Sequence, residues 1–178
     1  LSNLVTNVGV VGSDVTGVGT ARTGPAAAAY GGITAGTAIF GYGYTGSYTA
    51  VTNLVNSSGV VAADVSGVGT ARYHLAAAGY GTDKAIFAYG YIEGVTSLSN
   101  LVSNTGVVAS DVSGVGTARY NIGATMYGAD KAIFAYGDTG SVVSLSNLVN
   151  SSGVIASDVT GVGTARASLG SAEYSISA

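Results

Sequence analysis

An all-β fold assembled from tandem repeats of about 47 residues is what the sequence predicts, and three observations carry the prediction. The nine letters DVSGVGTAR stand at Asp64 to Arg72 and again at Asp111 to Arg119; with Thr for Ser they recur at Asp14 to Arg22 and Asp158 to Arg166. Successive arginines of this motif are separated by 50, 47 and 47 residues, so the repeat organises almost the whole chain of 178 residues. The chain also holds 29 glycines and a single proline, with little of the Glu, Lys and Leu pattern of helices. Short apolar runs bounded by Gly, Asn, Asp or Ser replace it, the signature of strands joined by tight turns.

Each unit contains four candidate strands. In the unit 71–117 the first is RYHLAAAGY, the second KAIFAYG, the third VTSLSNLV and the fourth GVVASDV. A helical reading of LAAAGY is open on propensity, but the run is short and contains a glycine. The turns between strands are TDK or ADK, then YGYIEG or YGDTG, then SNTG or NSSG. Ile86, Phe87, Ala88 and Tyr89 make the second strand apolar on both faces, as expected of a strand covered on each side. The units then run 21–70, 71–117 and 118–164, with a partial unit at 1–20 and another at 165–178. The three extra residues of the first unit fall near GGITAG, where a turn accommodates them.

Four strands in about 47 residues is the blade arithmetic of a β-propeller-like array of four-stranded blades. An arginine before the first strand, a small-residue first strand and a second strand stopping on an aromatic-glycine pair (Tyr42-Gly43, Tyr89-Gly90, Tyr136-Gly137) resemble the kelch-like propeller repeat. Each stop has one glycine where that family usually has two, and no tryptophan follows the third strand. The near-identical copies rich in Gly, Ala, Ser, Thr and Asn also resemble bacteriophage tail-fibre and other virion surface repeats. That resemblance implies a structural or receptor-binding module placed outside the cell or on a virion surface.

Composition narrows the chemistry. A net charge of −3, with six scattered Lys and Arg, offers no basic stripe for a phosphate backbone, so no nucleic-acid partner is expected. There is no cysteine, hence no disulfide framework, thiolate nucleophile or thiolate zinc site. No run of about eighteen apolar residues suggests membrane insertion, and LSNLVTNVGV lacks the charged start of a signal peptide. The only histidine, His74, takes the place of Gly24 and Asn121 in other units, so it carries no repeat-wide catalytic or metal role. With one His and dispersed acids, no catalytic dyad can be assembled; a non-enzymatic protein with no cofactor and no metal is expected. Calcium would need several clustered oxygens, and no D-x-D-x-D run exists. Asn56 and Asn150 begin NSS, read as turn residues rather than glycan acceptors.

The once-per-repeat acids and bases, Asp14, Arg22, Asp64, Arg72, Asp111, Arg119, Asp158 and Arg166, are therefore expected to be structural pairs holding neighbouring units in register. The tyrosines ending the second strand, Tyr42, Tyr89 and Tyr136, are the candidate ligand-binding residues, since a phenol offers a flat apolar face with a polar tip. The competing reading places them in gaps between blades. Function is expected to be a non-enzymatic structural or receptor-binding repeat module of a larger assembly, with a carbohydrate-binding lectin, one shallow site per repeat, as the alternative. Counting strands leaves the KAIFAYG type unrepresented in the two partial units, so the expected partners are further copies of the chain or other chains of an assembly, together with surface glycans.

Overall fold

The computed structural model describes residues 2–6, 8–32 and 35–173. It is all-β. Nine strands form three antiparallel three-stranded sheets: β1 (Ala26–Tyr30), β2 (Thr37–Tyr44) and β3 (Tyr48–Val55); β4 (Ala76–Tyr80), β5 (Lys84–Ala88) and β6 (Ser99–Val102); β7 (Gly123–Tyr127), β8 (Lys131–Ala135) and β9 (Ser146–Val149). In each the central strand is the predicted apolar second strand. Ile86, Phe87 and Ala88 of β5 are completely buried, so that strand is covered on both faces as expected. The LAAAGY run forms β4, not a helix.

The fourth segment of each unit is where sequence and structure part. GVVASDV does not complete a four-stranded sheet among the described residues; it is an extended edge held to the third strand by two isolated bridges, Val102 to Val108 and Ser99 to Val112 in the middle unit. The same two bridges recur as Val55–Val61 and Thr52–Val65, and as Val149–Ile155 and Ser146–Val159. The physical reason lies in Asp111. Its carboxylate is engaged by side chains and by the Thr70 amide, which pulls the segment away from a regular ladder.

The second strands stop because Tyr89 and Tyr136 adopt left-handed φ of 65° and 64°. In the first unit the same conformation at Tyr42 makes a bulge between Gly41 and Gly43, and β2 continues to Tyr44, which pairs with Tyr48.

The sheets pack in succession: β1 lies against β4 and β5, and β4 against β7 and β8. Two apolar clusters fill the spaces between them, one centred on Ile39, Tyr42, Phe87 and Val102, the other on Ile86, Tyr89, Phe134 and Val149. A backbone ladder runs along the stack. The His74 amide donates to the Gly24 carbonyl, Asn121 to His74, and Ser168 to Asn121, at 3.0, 2.9 and 2.9 Å. All four residues have φ between 52° and 60°. The inter-unit hydrogen bonds thus hold three non-glycine residues in a conformation that costs about 1 to 2 kcal/mol each in isolation.

The final segment carries no assigned strand through Glu173, although Ser171 Oγ donates to the Ala124 carbonyl at 2.6 Å. The rest of the expected last partial unit, 174–178, lies outside the described residues.

Candidate functional site

The repeated polar residues build one arrangement three times. In the middle unit, Arg72 is wholly buried and all three kinds of guanidinium nitrogen are engaged. Its Nε donates to the Tyr89 carbonyl at 2.9 Å, Nη1 to the Thr70 carbonyl at 3.0 Å and Nη2 to Asn100 Oδ1 at 2.7 Å. Asn100 in turn donates to the Ala109 carbonyl and to Asp111 Oδ1 at 3.0 and 2.9 Å. Asp111 receives the Thr70 amide at 3.0 Å and the Thr70 hydroxyl at 2.6 Å. Arg119, Asn147, Asp158 and Thr117 repeat the set, and Arg22, Asn53, Asp64 and Thr20 form it with one difference: Arg22 Nε has no acceptor.

This refines the expected pairs. Asp and Arg of one DVSGVGTAR motif do not face each other. The near pairs are Arg22 with Asp64, Arg72 with Asp111 and Arg119 with Asp158, at 4.0, 4.0 and 3.9 Å. Contact passes through an asparagine that the sequence reading missed. Its signal was present: Asn3, Asn53, Asn100 and Asn147 stand before Leu-Val in every copy. Asp14 accepts Asn3 Nδ2 at 2.9 Å, and Arg166 Nη1 donates to the Thr164 carbonyl at 3.3 Å, so the partial units keep fragments of the pattern.

The aspartate holds the last threonine of the preceding unit, and the arginine reaches a ring of that unit as well. The Arg72 guanidinium lies 4.4 Å from the centre of the Tyr42 ring in the preceding unit, Arg119 lies 4.4 Å from Tyr89, and Arg166 lies 3.8 Å from Tyr136. The Tyr42 hydroxyl donates to the Val68 carbonyl at 3.0 Å, and its ring meets Phe87 of the next sheet edge-on at 5.1 Å. Tyr89 repeats this with Val115 and Phe134.

Tyr42 and Tyr89, two of the three expected ligand residues, have no exposed surface. They offer no face to an external ligand because the arginine and phenylalanine of the next unit cover both sides. Tyr136 is half-buried beneath Arg166.

Burial sets the titration of these groups. It pushes Tyr42 and Tyr89 up to about 12 and lowers both Arg72 and Arg119 from their ordinary values. For Asp111 and Asp158 burial acts upward, but hydrogen bonds from Thr70 or Thr117 and from Asn100 or Asn147 outweigh it and hold the carboxyls below the usual range.

The surface aromatics lie elsewhere. Tyr44, Tyr48, Tyr73, Tyr91 and Tyr120 form a continuous strip along one end of the sheets, with centroids of neighbouring rings 5.4 to 5.9 Å apart. His74 adjoins it, 4.2 Å from Tyr73. Asp138 takes the place of Tyr91 in the following unit and Ala167 that of Tyr73, which ends the strip. The Asn56 and Asn150 side chains accept amides two and four residues on, as turn residues do. Among the described residues no three His, Cys, Asp or Glu side chains come together as a metal site would require.

In comparisons with known proteins, no family model matches the chain, and no curated protein matches it significantly.

Proposed function

We propose that the chain is a non-enzymatic repeat module that works as a structural or receptor-binding part of a larger assembly, extracellular or on a virion surface. The observation that carries this reading is the seam: the same Arg, Asn, Asp, Thr and Tyr set joins successive units, and around Arg72 and Arg119 all three kinds of guanidinium nitrogen are taken up within it. In this picture the finer architecture is a propeller-like, kelch-like array whose first strands lie innermost, supported by the packing of β1 on β4 and β4 on β7. Units of this kind bury their faces only against neighbours, so partners are further copies or other chains. Light scattering on the isolated chain tests it: concentration-dependent association supports the module, and a monodisperse monomer at every concentration overturns it.

A second reading, a carbohydrate-binding protein, has one specific observation in its favour, the strip from Tyr44 to Tyr120. Stacked phenol faces with polar tips suit wet contacts with sugars. It moves the site from Tyr42, Tyr89 and Tyr136 to a single extended surface. A glycan array on the soluble chain, with Tyr73→Ala as control, tests it: retained binding in that variant excludes the strip.

A further inference from the structure

We propose that the end of the stack beside Arg22 is a socket for an incoming β-strand that carries a tyrosine followed by a glycine. Within the chain, the same seat is filled twice. Tyr42 sits against Phe87, beneath Arg72, with its hydroxyl on the Val68 carbonyl; Tyr89 sits against Phe134, beneath Arg119, with its hydroxyl on the Val115 carbonyl. The glycine after each ring donates its amide to the arginine carbonyl, Gly43 to Arg72 at 2.9 Å and Gly90 to Arg119 at 3.0 Å.

At the first unit the corresponding parts are Phe40, Arg22 and Val18, and all three line one cleft of roughly 420 Å³ that is partly open to solvent. No ring lies over Arg22 among the described residues. Phe40 is 40% exposed, whereas its counterparts Phe87 and Phe134 are completely buried. The Arg22 side chain is only 7% exposed, although no such ring covers its guanidinium. Two backbone groups complete the edge. Among the described residues the Arg22 carbonyl receives no backbone amide and the Gly24 amide reaches no carbonyl, although Arg72, Arg119 and His74 use the equivalent groups between units.

A phenol fits the side-chain part of this seat, and the strand that bears it fits the backbone part. The phenol's face covers Phe40 and stacks beneath the Arg22 guanidinium, and its hydroxyl reaches the Val18 carbonyl; an aliphatic side chain does only the first. A glycine is required next because the chain there adopts φ of 125° at Gly43 and 114° at Gly90, a conformation that disfavours any side chain. The occupant is therefore a peptide strand of the KAIFAYG type, and the inference rests on the assembly reading, in which such a strand joins the stack at this face.

The test uses the intact chain and a synthetic peptide, DKAIFAYGD, with the sequence of residues 130–138. Titration followed by calorimetry and by amide shifts is expected to show saturable binding, with the largest shifts around Val18, Arg22 and Phe40. Replacing tyrosine by leucine in the peptide is expected to weaken binding about tenfold or more, and by phenylalanine about fivefold. Phe40→Ala in the protein, a surface change that leaves the fold intact, is expected to weaken it about tenfold. No saturable binding to the folded chain, equal binding of the tyrosine and leucine peptides, or indifference to Phe40→Ala overturns the socket. The outcomes separate from the assembly reading: a chain that never self-associates yet binds the peptide here sinks that reading alone, and association that persists without peptide binding sinks the socket alone.

Discussion

The seam at Arg72 and the end face at Arg22 are built from the same residue types, yet one is shut and the other open. At the seam, Phe87 and Tyr42 interlock and the arginine is wholly buried between a ring and three acceptors. At the end face, Phe40 meets solvent and Arg22 retains Asn53 and the Thr20 carbonyl but neither a ring nor an Nε acceptor. The difference teaches that a repeat supplies half of each seam. The fully covered arginine is a property of two units together: Nε and Nη2 bond within its own unit, Nη1 takes the last carbonyl of the preceding unit, and its face lies on that unit's tyrosine.

The largest expected effect is at the phenylalanines. Phe87→Ala removes a ring from a closed seam and is expected to cost about 3 to 5 kcal/mol, against about 1 kcal/mol or less for Phe40→Ala, compared by urea unfolding. Equal losses would erase the distinction between seam and end face. Next comes the turn that feeds the network. Gly116 has a φ of 76°, and a Cβ there would lie 2.5 Å from both Asn147 Nδ2 and Asp158 Oδ1. Gly116→Ala is therefore expected to cost about 2 to 4 kcal/mol, whereas Gly46→Ala, whose added Cβ meets nothing nearby, pays only for its φ of 103°.

Titration sharpens the comparison further. Tyr42 and Tyr89 are held near 12, above the ordinary 10.0. Their raised values mean that the neutral phenols stabilise the fold fully below pH 10 and that this contribution is lost as pH rises from there through about 12. Ultraviolet titration should show two late-ionising tyrosines coincident with loss of structure; titration of all tyrosines in one early step contradicts their burial. The smallest effect is on the acid side. Asp111 and Asp158 have lowered values, so their contribution is present above the ordinary carboxylate range and fades as pH falls through it. Asp111→Asn should remove the Asp111 share of that acid dependence, leaving that of Asp158, at a cost of about 1 kcal/mol, read from melting temperature against pH.

Much of this was legible in the letters. The period, the apolar central strand and its stop at tyrosine-glycine follow from repeated motifs and turn chemistry, and they locate β2, β5 and β8 closely. What could not be read was which face each tyrosine turns to. Tyr89 and Tyr91 are two residues apart and share a composition, but the first points into the seam and the second joins the surface strip, because the left-handed turn at Tyr89 breaks the alternation of a strand. The fourth segment looked like a strand because it is a short run with valines bounded by turn residues; the side-chain bonds of Asp111 to Asn100 and Thr70 then compete with the ladder. Asn100 itself was overlooked since its place inside the third strand does not reveal the side-chain partners it meets across the unit.

The claim that each arginine is locked between two units is tested most directly by equilibrium urea unfolding of Arg119→Met beside Arg22→Met. Arg119 has no exposed surface, contacts Tyr89 of the preceding unit and gives its Nε to Tyr136, while Arg22 has neither the ring nor the Nε acceptor. The expected losses are about 3 kcal/mol or more for Arg119→Met and about 1 kcal/mol for Arg22→Met. Equal losses at the two positions, or an Arg119→Met chain as stable as the parent, would contradict it.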